Sequence, residues 1–438
     1  MDNSSSTQMV RPPRPLRILS LDGGGIRGLS SLMILEEIMR KAAEAEKEAV
    51  RPCDYFDLIG GTSTGGIIAI MLGRLEMTVD ACIQAYKRVA AQAFTPKYGR
   101  ILPASPKGAF SAKALESAMK QIIRENCVEK ECREQRSQGI PTGQSCQHDG
   151  IPFYRDSPTK VVVVAITKEN VNAPPTLLKS YDNSPNFRSC PIWQVARATS
   201  AATTFFKSIR IGRDGIEFID AGFGYNNPCE LLIAEAERIF PADRELKILS
   251  IGTGIGDVVA IKDRRLSIIS ALKKMATSSS RVEASLYNKY GDGGQYYRFA
   301  VNEGVGSIAL SDWELASKIS AHTENYLKSQ QKRIKLCARD FQTDRFPSVS
   351  IKTEPGGRAS PKSAQSMVSP GLAEQARFNQ RGSVFRSIIR GQDVRQGNRL
   401  EISRPALHCA LFQEGSEFGG EISADQRIEQ GNYIKVST

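Results

Sequence analysis

Asp57-Leu58-Ile59-Gly60-Gly61-Thr62-Ser63-Thr64-Gly65-Gly66-Ile67-Ile68-Ala69-Ile70-Met71-Leu72 is the stretch that decides the fold. Asp57–Gly60 reads as the end of a buried strand, and Gly66–Leu72 as the start of a buried helix. Ser63 lies on the sharp turn between them, flanked by Gly61 and Gly65 in a G-x-S-x-G pattern. The glycines let the backbone turn without Cβ clashes, while the turn pushes the serine hydroxyl outward. The helix that follows offers free N–H groups, beginning with Thr64, and a positive dipole end suited to a developing oxyanion. A bare G-x-S-x-G also arises by chance as a plain tight turn. The strand and helix around this one make Ser63 a candidate nucleophile.

Outward from that turn, strands and helices alternate. Leu16–Leu21, Lys160–Ile166, Ile216–Ile219 and Leu246–Ile251 have the composition of strands. Thr78–Ala93, Ser111–Arg124, Trp193–Thr199 and Glu230–Ile239 have that of helices, and a further helix follows Gly28, with Leu32, Ile34, Leu35, Ile38 and Met39 apolar. This alternation predicts an α/β layered domain with a mostly parallel sheet over residues 16–335. Residues 1–15 form a polar leader. Residues 127–158, rich in Gln, Gly and Pro, read as a surface insertion; their Cys127, Cys132, Cys146 and His148 have a C-x4-C-x13-C-x-H spacing that matches no common zinc finger, so no metal is expected. Residues 336–438, dominated by Ser, Gly, Gln and Arg, predict a largely disordered tail with a short strand or helix near Leu407–Phe412.

Composition bounds the function. With 40% apolar and 24% charged residues, the 438-residue chain has the make-up of an ordinary globular protein. No stretch approaches the roughly 18–20 apolar residues that span a bilayer. The polar start, Met1–Gln8, lacks an apolar signal core, and nine scattered cysteines suit reduced thiols, so a cytoplasmic location is expected. The net charge of +12 favours anionic partners, such as peripheral contact with an anionic membrane, or simply a solvated surface. No dense Lys/Arg block with interleaved aromatics accompanies it, which argues against nucleic acid.

A second glycine-rich loop, Asp22-Gly23-Gly24-Gly25-Ile26-Arg27-Gly28, follows the first strand. Its G-x-G-x-x-G also fits a dinucleotide fingerprint, but the acidic residue expected about 20 positions on, at the end of the next strand, is missing. The loop reads better as a cradle of N–H donors facing Ser63. Arg27 either holds that loop, meets a substrate headgroup or is solvated. A base is then needed. The three histidines, His148, His322 and His408, sit in the insertion, a charged helix and the tail, away from any short loop after a core strand. Asp220 instead ends the apolar Ile216–Ile219 run before Ala221 and Gly222, and a desolvated carboxylate can take a serine proton directly. The competing reading of Asp220 is a cap on the turn at Gly222.

Together, Asp22–Gly28, Gly61–Gly65 and Asp220-Ala221-Gly222 resemble the patatin-like phospholipase family, as do the block Ala198–Phe206 and the turn Lys247–Gly254; Tyr225–Pro228 is similar to its fungal branch. The resemblance spans roughly residues 16–335. It implies a three-layer α/β/α sandwich and a metal-independent serine hydrolase of phospholipid or other acyl-lipid esters without cofactors. By position, Ser63 would be the nucleophile and Asp220 the base, with Gly23, Gly24, Gly25, Arg27, Gly28 and Thr64 around the oxyanion. Two departures stand out: Ala221 replaces a usual glycine, and Thr203 a usual proline. A non-catalytic lipid-binding scaffold and a transacylase remain the alternatives.

Overall fold

The computed structural model describes residues 14–341, apart from 45–50, 95–109, 204, 255–265, 292 and 307, and five short strands beyond residue 382. β1 (Leu16–Leu21) runs through the glycine loop and a tight turn at Gly25–Arg27 into α1 (Gly28–Ala43). A short α2 (Pro52–Tyr55) leads to β2 (Leu58–Thr62), the serine turn and α3 (Thr64–Ala69), which widens into a π-type turn at Ile70–Arg74. Next come α4 (Val79–Ala93) and α5 (Ala112–Glu125). Each starts on a hydroxyl cap, Thr78 or Ser111, that accepts a 3.2 Å bond from an N–H three residues on. α6 (Lys130–Ser137), β3 (Lys160–Thr167), β4 (Thr176–Lys179), α7 (Ile192–Thr199), β5 (Ile209–Ile211) and β6 (Ile216–Asp220) follow. The one-turn α8 (Gly222–Tyr225), α9 (Cys229–Ile239), β7 (Leu246–Ile251), α10 (Leu266–Tyr290), β8 (Tyr296–Phe299), α11 (Ala316–Ser329) and α12 (Gln331–Phe341) complete this unit.

The sheet has the order β5-β6-β3-β2-β1-β7-β8. Its centre, from β3 to β8, is parallel; β4 and β6 share the outer edge of β3, both antiparallel, and β5 pairs antiparallel with β6. β1 and β2 are buried throughout, as strands covered on both faces must be. The pleat sorts side chains by parity. Leu19, Leu21, Ile59, Val161, Val163, Leu249 and Ile251 face a large core with α1, α4, α5, α7, α11 and α12. Leu16, Ile18, Leu58, Val162 and Ile248 face a smaller one with α9 and α10. This is the expected three-layer α/β/α arrangement.

Some elements differ from expectation. β8 escapes notice because Tyr296-Tyr297-Arg298-Phe299 is short and holds a buried arginine in place of apolar alternation. α12 runs past residue 335, burying Cys337, Ala338 and Phe341. The segment 127–158 is more than a surface excursion: Cys127, Cys132, Cys146 and Phe153 are buried. The chain beyond Lys352 forms a separate unit, in which Leu411–Gln413 pairs with Ser383–Phe385 and Ser416–Glu417, and Arg399–Ser403 with Tyr433–Ser437. The rest of the tail, including His408, and most of the leader lie outside the described residues. Among the described residues no helix is long and apolar enough to cross a membrane.

Candidate active site

Sheet register brings the sequence motifs together. Leu21 pairs with Gly61, Thr62 with Val164, and Ala165 with Asp220, so the ends of β1, β2 and β6 meet around the end of β3. Ser63 leaves β2 with φ 55° and ψ −125°, a left-handed conformation costly for any residue with a Cβ. The surroundings hold it there. Its N–H donates to Thr199 Oγ1 at 2.8 Å, and that hydroxyl donates to Val164 O at 2.7 Å. Gly65 is compulsory, because a Cβ there would lie 2.3 Å from Leu21 O; one on Gly61 would lie 2.2 Å from the Gly65 carbonyl carbon.

Ser63 Oγ donates to Asp220 Oδ2 at 2.6 Å, while Asp220 Oδ1 accepts from Gly222 N–H at 2.8 Å. Asp220 is buried, and desolvation lifts its pKa to about 6; the bonds from Ser63 and Gly222 pull the other way and only partly offset it. The turn bond to Gly222 is the one the capping reading expects, and the serine bond exists beside it on the other carboxylate oxygen. Ala221 adopts φ −81°, a conformation open to any residue, so the change from glycine is accommodated. Thr203 is exposed in the turn after α7.

The glycine loop lies against the serine: a Cβ on Gly23 would sit 3.0 Å from Ser63 Cβ. Not all of its N–H groups face that side. Gly23 N–H donates to Asn226 O at 3.2 Å and Gly24 N–H to Thr64 Oγ1 at 3.1 Å, which corrects the picture of a whole loop of free donors. Gly25 opens the turn Gly25–Arg27 and Thr64 opens α3, so neither N–H has an acceptor within its own turn. Gly25 has φ 56°, and a Cβ on Gly28 would collide with the Tyr86 hydroxyl, which donates to Gly25 O. Arg27 is neither solvated nor free for a headgroup. It is buried, its Nε donates to Ile308 O at 2.8 Å and its Nη atoms to Gly254 O and Gly306 O, and burial lowers its pKa to about 10.

Further side chains support the site. Asp22 Oδ1 accepts from Arg298 Nη1 at 2.8 Å and Oδ2 from Nη2 at 2.5 Å; both residues are buried. Thr253 Oγ1 donates to Gly23 O at 2.7 Å, and Ser31 Oγ to Gly252 O at 2.9 Å, so the turn after β7 steadies the loop. Thr199 and Thr253 lie in stretches whose resemblance was visible, which was the available signal; Tyr86 and Arg298 had none. His148 sits among cysteines and His322 lies beside Gly304; the structure brings neither to Ser63.

The family model of patatin-like phospholipases matches residues 19–233, a span that holds the glycine loop, Ser63 and Asp220. The chain carries a patatin-like phospholipase domain. It is 28% identical over 250 residues to calcium-independent phospholipase A2-gamma of Homo sapiens, covering 55% of this chain and 28% of that protein. It is 27% identical over 374 residues to phospholipase A I of Arabidopsis thaliana, covering 75% of this chain and again 28% of the relative. The matches therefore span under a third of either relative's length. A third relative, the probable inactive patatin-like protein 9 of Arabidopsis thaliana, is 24% identical over 273 residues, covering 58% of this chain and 64% of its own.

Proposed function

We propose that the chain is a serine acyl hydrolase of phospholipids or related lipid esters, working through a Ser63–Asp220 dyad. The observation that carries this reading is the 2.6 Å bond from Ser63 Oγ to Asp220 Oδ2 on a strained strand-to-helix turn. Asp220 takes the hydroxyl proton as Oγ attacks the acyl carbonyl, and its raised basicity suits that transfer. The tetrahedral oxyanion would lie against the N–H groups of Gly25 and Thr64, at the positive end of α3. Collapse expels the lysolipid or alcohol, which leaves with the proton from Asp220. Water, deprotonated by Asp220, then releases the fatty acid from the acyl-serine. The dyad draws its base and its donors from the chain itself. Gly222 N–H fixes the free carboxylate oxygen, so Asp220 presents the other to serine without a histidine between them.

The relatives' names support the lipid class: two are phospholipases. The probable inactive relative keeps a non-catalytic lipid binder as the second reading, and the formed Ser63–Asp220 contact favours catalysis over it. A transacylase would share the acyl-enzyme and differ in its acceptor. The test is a mass-spectrometric panel of phospholipids and neutral glycerides with wild type, Ser63→Ala and Asp220→Asn. Release of fatty acid by wild type alone, with fluorophosphonate labelling lost in Ser63→Ala, is expected. Equal turnover by Ser63→Ala, or vesicle binding with no turnover on any lipid, overturns the proposal. Adding glycerol or a lysolipid as acceptor and looking for acylated product separates transfer from hydrolysis.

A further inference from the structure

Between α5 and β3 the chain folds over itself around four side chains. The Sγ atoms of Cys127, Cys132 and Cys146 lie 3.4, 3.5 and 3.6 Å from His148 Nδ1. All four candidate ligand atoms fall within 4.8 Å of one another. A tetrahedral zinc ion, with Zn–S of about 2.3 Å and Zn–N of about 2.0–2.1 Å, sets its sulfur and nitrogen ligands roughly 3.6 Å apart. The observed spacing is that of a coordination shell.

The packing points the same way. The three cysteines are buried and form a small cluster of their own, and Cys132 is the one buried residue of α6, whose other residues are Lys, Glu, Arg, Gln and Ser. Three sulfurs bury too little apolar surface to order so polar a segment, whereas a bound metal contributes folding energy directly. A disulfide would use two of the thiols and leave the third and the imidazole without a role. Thiolates with an imidazole suit zinc, and four protein ligands make a closed, structural site.

Neighbours hold the ligand loops in place. His148 N–H donates to Cys146 Sγ at 3.3 Å, which fixes the position of that sulfur beside the imidazole. Arg124 Nη1 donates to Asp149 Oδ2 at 2.9 Å and its Nε to Gly143 O at 3.2 Å, and the buried Thr142 hydroxyl donates to Arg124 O at 2.8 Å. Arg136 Nη2 donates to Cys127 O. These partners come from α5, α6 and the loops on either side of α6.

We propose that Cys127, Cys132, Cys146 and His148 bind one zinc ion that clips the segment between α5 and β3 to the body of the domain. On binding, three Zn–S bonds and one Zn–Nδ1 bond form; each thiol gives its proton to solvent, and the imidazole proton stays on Nε2. Nothing is oxidised. The clip reaches the site only through structure: Phe153 N–H donates to Cys190 O at 2.7 Å and Ile192 N–H to Ile151 O at 3.1 Å, joining the segment to α7, which ends in Thr199.

The test uses the full chain, expressed with added zinc and purified without chelator. Elemental analysis is expected to find about one zinc per chain in wild type and in Ser63→Ala, and a loss of at least about tenfold in Cys132→Ser and Cys146→Ser. Ser63→Ala separates the two proposals, because it removes turnover and keeps the metal. Replacing zinc with cobalt should produce the visible bands of a tetrahedral thiolate complex. Should the cysteine variants fail to fold, alkylation of wild type decides: Cys127, Cys132 and Cys146 are protected until a chelator is added. A wild type that stays metal-free after zinc loading, unchanged zinc in both variants, or a disulfide within the cluster overturns the proposal.

Discussion

At the scale of single residues, the proposed chemistry rests on where Asp220 is ionised. Its pKa of about 6 predicts that kcat/KM rises with pH along a limb near pH 6, levelling above it; a pH–rate profile checks this. Ser63→Ala should lower kcat by at least about a thousandfold and Asp220→Asn by about a hundred- to ten-thousandfold, measured on the best lipid of the panel. Asp220 also makes a stability prediction of opposite sense. Its folded-state pKa is raised above the ordinary 3.8, so the folded state binds the extra proton between about pH 4 and 6 and stability falls as pH rises through that window. Asp220→Asn removes the penalty and should gain on the order of 1–3 kcal/mol at pH 7–8, less whatever its hydrogen bonds lose, with the gain gone below about pH 4. Urea denaturation of both proteins at the two pH values reads this directly.

At the scale of elements, the site is three strand ends and a helix start held by bonds that cross between them. Thr199, at the end of α7, ties Ser63 N–H to Val164 O. Thr199→Val takes this partner from the half-buried Ser63 N–H and from the buried Val164 carbonyl and should cost about 1–3 kcal/mol. Because it frees the serine turn to relax, kcat should fall by more than KM rises, which steady-state kinetics separates. β8 matters through Arg298. Removing it by Arg298→Met strands the buried Asp22 carboxylate and should cost about 3–5 kcal/mol, part of it recovered when Asp22→Asn is added. Thermal unfolding of the single and double variants checks the pair. α1, β2 and β7 were legible in the chain because apolar periodicity marks an element covered by neighbours. β8, β4 and β5 were not, since short strands carry too few residues for a period to emerge and their partners are distant in sequence.

At the scale of the whole molecule, the surplus of 12 positive charges predicts an attraction to anionic surfaces that is electrostatic and non-specific. Binding to vesicles of anionic phospholipid should weaken steeply when salt is raised from roughly 0.05 to 0.5 M, as the screening length shrinks, while neutral vesicles bind little at either salt. Co-sedimentation measures it. The sequence by itself determined the layered α/β class, the serine turn and the glycine loop, and it singled out Asp220 as the candidate carboxylate in a chain with few histidines, because each is a local pattern: a glycine where a turn demands it, an acid at the end of an apolar run. Tertiary structure alone decided the rest. Residues 63 and 220 reach 2.6 Å only because β3 lies between their strands in a particular register. Arg27 turned inward to backbone carbonyls from residues 254, 306 and 308, and two loop N–H groups proved to be engaged. The four residues of the C-x4-C-x13-C-x-H set meet through the fold of their loops, which no spacing rule encodes. Local patterns follow from the backbone's own stereochemistry; which distant groups meet depends on strand order and packing, and those are properties of the folded chain.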